Sequence, residues 1–197
     1  MTTVVINCFH WIGFHFVEKL LEQGVKVIGV HEKQTDQTSF LAMFFARNSS
    51  FDFSNVAPKE AERVIVIGDT HIIPKSKHVM QCMHGGTSVE QHIKGRLYVN
   101  MPLLFGEWMP MDQTGMYFGQ RHIPYHSEEF HDDAVYVKDF VNDCLLEFNQ
   151  KIDQQTSYPL EGLILEKGEQ IRDNSTKRIN IDKMQKHYLK YASFHDA

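Results

Sequence analysis

Twelve of the 197 residues are histidine, and His122, His126 and His131 fall in one short stretch with Glu128, Glu129, Asp132 and Asp133. Imidazole and carboxylate groups are the ligands zinc takes, so these residue types suit a metal site. The spacing does not. No His-Glu-x-x-His pattern occurs, and Pro124 between His122 and His126 prevents the helix that would place two ligands on one face. The stretch reads as a solvated polar loop, and no metal ligand is assigned. Its histidines also suit weak pH sensing, because imidazole titrates near neutrality.

Other chemistry-bearing residues are sparse. Cys8, Cys82 and Cys144 lie far apart and form no Cys-x-x-Cys pair, which argues against a zinc knuckle or a redox dithiol. They read as reduced, buried thiols. Trp108, Met109, Met111, Met116, Tyr117 and Phe118 make a run rich in methionine and aromatics. Such surfaces suit adaptable protein contacts. An interface is favoured over a ligand pocket there, and burial in the core is equally open.

The whole-chain balance narrows the classes further. A net charge of −5 with no basic stripe excludes a general nucleic-acid binder. No apolar run reaches the 18 residues of a membrane span, and the first residues lack the pattern of a secretory leader. The expectation is a cytoplasmic protein with no membrane and no nucleic-acid partner. The length fits one domain with a substantial core.

The elements that must position any site are clearest at the start. Residues 4–8 are a β-branched run, as in a buried parallel strand. Residues 11–23 place Ile12, Phe16, Val17, Leu20 and Leu21 on one helical stripe, and Gly24 ends the helix. Residues 25–30 form a second strand, completing a strand–helix–strand unit. A helix or packed loop follows at 40–46, then a weak strand at 51–56 and a buried strand within 60–67. Residues 69–83 read as irregular. Thr87 and Glu90 have capping-box spacing for a helix over 87–94, stopped by Gly95. Residues 96–105 carry a strand broken by Pro102, and 106–127 read as loop. A helix over 135–148, a strand at 160–166 and a helix over 181–191, starting near Asn180 or Asp182, complete the chain. No repeat or linker marks a second domain.

Three segments resemble the NAD-dependent epimerase/dehydratase family, the extended short-chain dehydrogenases/reductases. VVINCFHWIGFHFVEKLLEQGVKVIGV, residues 4–30, looks like its opening strand, glycine turn, helix and second strand. RLYVNMPLLFGEWMP, residues 96–110, looks like its strand and loop beside the sugar-nucleotide. DDAVYVKDFVNDCLLEF, residues 132–148, looks like its strand-to-helix segment with a Val-x-Asp signature, here Val137 to Asp139. The chain is shorter than typical members, and the missing length lies between the RVIVIGD and RLYVNMP strands. The resemblance implies an α/β, Rossmann-like, mainly parallel sheet with helices on both faces. It implies one domain over 1–197, with 96–131 and 151–197 as remnants of the substrate side.

The resemblance also implies a cofactor site, and this chain departs from it. The family's Gly-x-x-Gly-x-x-Gly falls on Asn7, His10 and Gly13. Glycines there allow the tight turn, admit the pyrophosphate and let helix pack on strand. Asn7 still tolerates positive φ. His10 is read as a plug over the pyrophosphate position, with a phosphate ligand as the competing reading. His31 takes the acidic ribose-binding position, and Glu32 follows one residue late as a solvated charge. The family's catalytic tyrosine with lysine four residues on has no counterpart: none of the seven tyrosines carries it. Tyr117 has Arg121 there, in a glycine-rich context, and this is read as coincidence. No catalytic residue is assigned.

The expectation is therefore a degenerate, non-catalytic family member acting as a binding, regulatory or interaction module. The alternative is an NAD(P)-dependent epimerase, dehydratase or reductase acting on a nucleotide sugar through an atypical cofactor site. No cofactor is expected, and NAD or NADP stays open if the altered site binds. The expected partner is a second copy or another protein.

Overall fold

The first turn of the chain is built around a missing side chain. A Cβ on Gly13 would lie 2.2 Å from the backbone oxygen of Asn7, so only glycine lets the helix start so close to the strand before it. In the computed structural model, which describes residues 2–32, 35–84, 96–153 and 174–192, that strand is β1 (Thr2–Ile6) and the helix is α1 (Trp11–Glu22). Gly24, at φ +72°, ends α1 and leads into β2 (Lys26–Val30). The sequence reading of this unit holds to within two residues.

Next come α2 (Asp36–Phe45), β3 (Phe51–Ser54), β4 (Arg63–Ile67), β5 (His78–His84) and β6 (Arg96–Met101). Thr35 and Thr38 bond reciprocally to cap α2, which resolves the helix-or-loop ambiguity of that segment. The six strands form one parallel sheet in the order β3-β2-β1-β4-β5-β6. This is the strand order of the Rossmann fold. The register alternates side chains between two faces. Val4, Ile6, Val30, Val64, Val66 and Val79 form a buried cluster on one face, packed by Ala57, Ala61 and Ile73 from the connecting segments. Burying each such side chain contributes roughly 1.5–3 kcal/mol.

β5 corrects the sequence reading, which took residues 69–83 as irregular. HVMQCMH has no β-branched run beyond Val79, so its pattern is weak, yet the middle of the strand is fully buried. The expected helix at 87–94 and strand at 160–166 lie outside the described residues.

Two compact units divide the chain, the first comprising residues 1–101 and 141–166, the second 102–140 and 167–197. α4 (Val137–Asp153) enters the first unit from Val141 onward. There Phe148 lies under the Arg63 guanidinium at 5.0 Å, and Cys144 shares a hydrogen bond with Cys82. Burial pushes the Cys8 and Cys144 thiols up, and all three cysteines are free and buried, as expected of inert core thiols.

The second unit contains β7 (Leu104–Phe105) paired in parallel with β10 (Val135–Tyr136), the hairpin β8 (Gly115–Phe118) and β9 (Arg121–Pro124), α3 (Glu128–Asp133) and α5 (Asn174–Tyr191). The hairpin and α3 fall within or next to the stretch read as loop. Gly119, at φ +63°, opens its two-residue turn, a position that favours glycine. Lys177 of α5 donates to the carbonyls of Phe130 and His131 at the end of α3. α5 begins before the expected Asn180, which is buried inside the helix.

Replacing Gly13 with valine forces a Cβ into the Asn7 carbonyl. The expected cost is about 1–3 kcal/mol, seen as a lowered melting temperature. An unchanged melting temperature would sink this account of the turn.

Candidate functional site

In an open parallel sheet, ligands bind beyond the carboxyl ends of the strands, where the strand order reverses. Here that point lies between β1 and β4. Asn7 follows β1 directly and sits at φ 60°. Its amide donates to the Ile67 carbonyl at the end of β4 over 2.7 Å. Asn7 thus makes the turn that glycine makes in the resembling family, and its side chain ties the two strand ends together.

His10 stands at the N-cap of α1. Its backbone, at φ −62°, is extended and places no demand for glycine. Its N–H donates to the Asn7 carbonyl at 3.0 Å, which closes the turn. Its ring Nδ1 accepts the N–H of Ile12 at 3.4 Å. The first N–H groups of a helix are the natural partners of a bound phosphate. One of them is already taken by the protein's own imidazole. Burial, and then the neighbouring His84 and His31, lower the His10 pKa to about 4, so the ring is neutral.

His84 was not singled out by sequence, because it ends the unrecognised strand β5. His31 lies against Phe9 with ring centroids 5.8 Å apart. Burial holds it below its ordinary pKa, with Glu32 opposing. Its Nδ1 is buried without a hydrogen-bond partner.

A cleft of about 170 Å³ opens at these strand ends. Ile6 and Asn7 reach it from β1, Val30 to Glu32 from β2, Asn55 to Ala57 from beyond β3, and Asp69, Thr70 and Ile72 from beyond β4. Glu32, read as a solvated charge, lines this cleft together with His31. The segments after β3 and β4 carried no recognisable motif, although the Gly68-Asp69 step ending RVIVIG marks a turn, with Gly68 at φ +78°.

The groups of the second unit that suggested chemistry are engaged with one another. Asp112 accepts from the backbone N–H groups of Thr114 and Gly115, the Thr114 hydroxyl and the Tyr117 hydroxyl. These bonds hold its carboxyl well below the usual range and raise the Tyr117 phenol. His122 approaches Asp112 and Thr114 through the same nitrogen, Nε2, at 3.3 Å each. A proton relay needs the two ring nitrogens on opposite partners, so this is a turn-stabilising cluster. Arg121 pairs with both carboxylate oxygens of Glu129, at 2.6 and 3.1 Å, and Tyr117 and Arg121 therefore serve different partners. Tyr136 donates to Glu107 at 2.9 Å. No three His, Cys, Asp or Glu residues among those described gather as a metal-ligand set. Trp108, Met109, Met111 and Met116 are buried, and only Tyr117 and Phe118 of that run are exposed. Of the three readings left open for the run, its methionines take the core. No helix among the described residues is long and apolar enough to cross a membrane.

No family model matches the chain, and no curated protein matches it. Solved structures do. The UDP-galactose 4-epimerase structure superposes with a TM-score of 0.52 at 12% identity, covering 84% of this chain and 77% of that one. Vestitone reductase from alfalfa, Medicago sativa, gives 0.52 at 9% identity over 96% of this chain and 86% of that one. Gre2 from Candida albicans gives 0.51 at 11% identity over 85% and 78%. At such identities the likeness is one of fold, and the fold of this chain is Rossmann-like, as in these structures.

Proposed function

We propose that the chain is a non-catalytic binding module on a dinucleotide-binding fold, with its pyrophosphate position closed by its own His10. The observation that carries this reading is the hydrogen bond from the Ile12 N–H to His10 Nδ1. A diphosphate seated at α1 must displace that ring and then meet no positive charge from it. The reading extends to chemistry. No tyrosine has lysine four residues on, and the phenols of Tyr117 and Tyr136 donate to carboxylates. The bond to Asp112 raises the Tyr117 phenol and keeps it protonated, the opposite of what a general base needs.

Weak dinucleotide binding is part of this reading. A fold neighbour, Gre2 from Candida albicans, has been solved with NADPH, and the crevice here lies where the strand order reverses, the usual ligand position in such sheets. NAD and NADP bind the wild-type chain weakly. His10→Gly keeps an acceptable N-cap residue, frees the helix end and tightens NAD binding by about tenfold, ~1.4 kcal/mol. Calorimetry measures this. Nicotinamide absorbance with a panel of nucleotide sugars shows no turnover for either protein. Tight NAD binding by the wild type would overturn the plug, and measurable turnover would overturn the whole reading.

The cap also gives a pH dependence. His10 stays neutral in the folded chain down to about pH 4, whereas its ordinary value is 6.5. Below 6.5 the unfolded chain takes the proton first, so stability is lost as pH falls from 6.5 towards 4. His10→Asn caps without titrating. Its melting temperature declines less over that range than that of the wild type. Equal declines would show that the imidazole is not buried as a neutral cap.

A further inference from the structure

Helix α5 concentrates a positive charge that the whole chain conceals. It holds Lys177, Arg178, Lys183, Lys186 and Lys190 against Asp182 alone, a net +4. The chain as a whole is at −5, so the remaining residues together carry −9. The linear sequence scatters these basic groups among others, and only the helix gathers them. Asn180, Met184 and Tyr188, four residues apart, are buried and fix the inward face. Lys183, Lys186 and Lys190 then fall on one outward row, and Arg178 is exposed as well.

Like charges at three- and four-residue spacing weaken a helix on its own. Among the described residues, Arg178, Lys183 and Lys186 have no ion-pair partner to offset that repulsion. Ile179 and Leu189, 53% and 67% exposed, stand on the same outward side. The face is therefore cationic, with two large apolar side chains open to water. The opposite charge lies in the same unit. Lys177 holds the start of α5 against the end of α3 through the Phe130 and His131 carbonyls. On α3, Glu129 is taken by Arg121, whereas Glu128 and Asp132, four residues apart, are exposed on one side.

We propose that α5 is the docking face for a second copy of this chain, its lysine row meeting Glu128 and Asp132 on α3 of the other copy about a two-fold axis. In a two-fold pair, a residue i that meets j requires that j meets i. A basic helix beside an acidic one is thus self-complementary, and two equivalent contacts form. A polyanion such as a nucleic acid or a lipid surface is repelled by the −9 on the rest of the chain, whereas a second copy brings that acid as its own binding surface. Single exposed ion pairs contribute little. The association draws on several charges at once and on covering Ile179 and Leu189, and salt weakens it. The inference goes beyond the crevice and does not depend on it, since no residue of α3 or α5 lines that cleft.

Sedimentation of the full chain, with melting temperature as a check on folding, tests this. The wild type is dimeric at ~100 μM, and raising salt from ~0.1 M to ~1 M weakens the dimer by ~tenfold or more. Lys183→Glu with Lys186→Glu gives a monomer, and so does Glu128→Lys with Asp132→Lys. All four positions are exposed, so the melting temperatures stay near that of the wild type. Mixing the two reversed variants restores a dimer containing one of each, because every contact again joins opposite charges. A monomeric wild type at that concentration would overturn the proposal. So would a dimer indifferent to salt and to both reversals, or two folded variants that fail to pair when mixed. A monomeric wild type that sediments with phosphatidylserine vesicles, and loses this with Lys183→Glu and Lys186→Glu, would overturn it in favour of a lipid surface.

Discussion

The approach of α1 to the end of β1 is the contact on which the first unit depends. With no side chain at Gly13, the helix starts against the Asn7 carbonyl, and its first turn is aimed at the reversal point of the sheet. Asn7 accepts a left-handed backbone to make that turn, and its amide then holds β4 beside β1. Along the helix, Phe14 meets Phe45 of α2 with centroids 4.7 Å apart, and Phe45 meets Phe51 of β3 at 5.2 Å. One permissive residue thus sets where the helix lies, which aromatic stack fills the space beside it, and where the crevice opens.

The parts of this arrangement that were legible in the sequence are those written locally. Val4 to Ile6 and Val64 to Ile67 are uninterrupted apolar runs, and the stripe of α1 closes on Gly24. Strand β5 was hidden because Met80, Gln81 and Cys82 lack the branched or alternating signature, although the sheet buries them all. Its burial is imposed by neighbours on both sides rather than by its own composition. The hairpin of the second unit was hidden by Gly, Pro and Met residues that resemble loop, and only the Gly119-Gln120 step signals its turn. The cleft was the least legible feature. Four strand ends, far apart in sequence, bring it together, and of its lining only the residues from β1 and β2, Ile6, Asn7 and Val30 to Glu32, lay in or beside a stretch with a recognisable pattern.

Residue type says least where polar side chains bond to one another. Asp112, Thr114, Tyr117 and His122 have the composition of a reaction centre, yet their bonds converge on one carboxylate that fixes a turn. The direction of each bond decides the matter. A phenol donating to an anion is held protonated, and a histidine presenting one nitrogen to both neighbours passes no proton between them. The methionines at 109, 111 and 116 follow the same logic for surfaces, since adaptable side chains fill a core as readily as they meet a partner.

The imidazole cap of α1 separates foldedness from occupancy. In a fold whose helix end waits for an anion, ligand and protein stabilise each other, and the empty form carries an unsatisfied terminus. Here the terminus is partly satisfied from within, so no anion is needed to engage the Ile12 N–H. A ligand then adds stability only through its own contacts, in proportion to the logarithm of its concentration over its dissociation constant, so a weak ligand raises the melting temperature appreciably only when it is present in large excess.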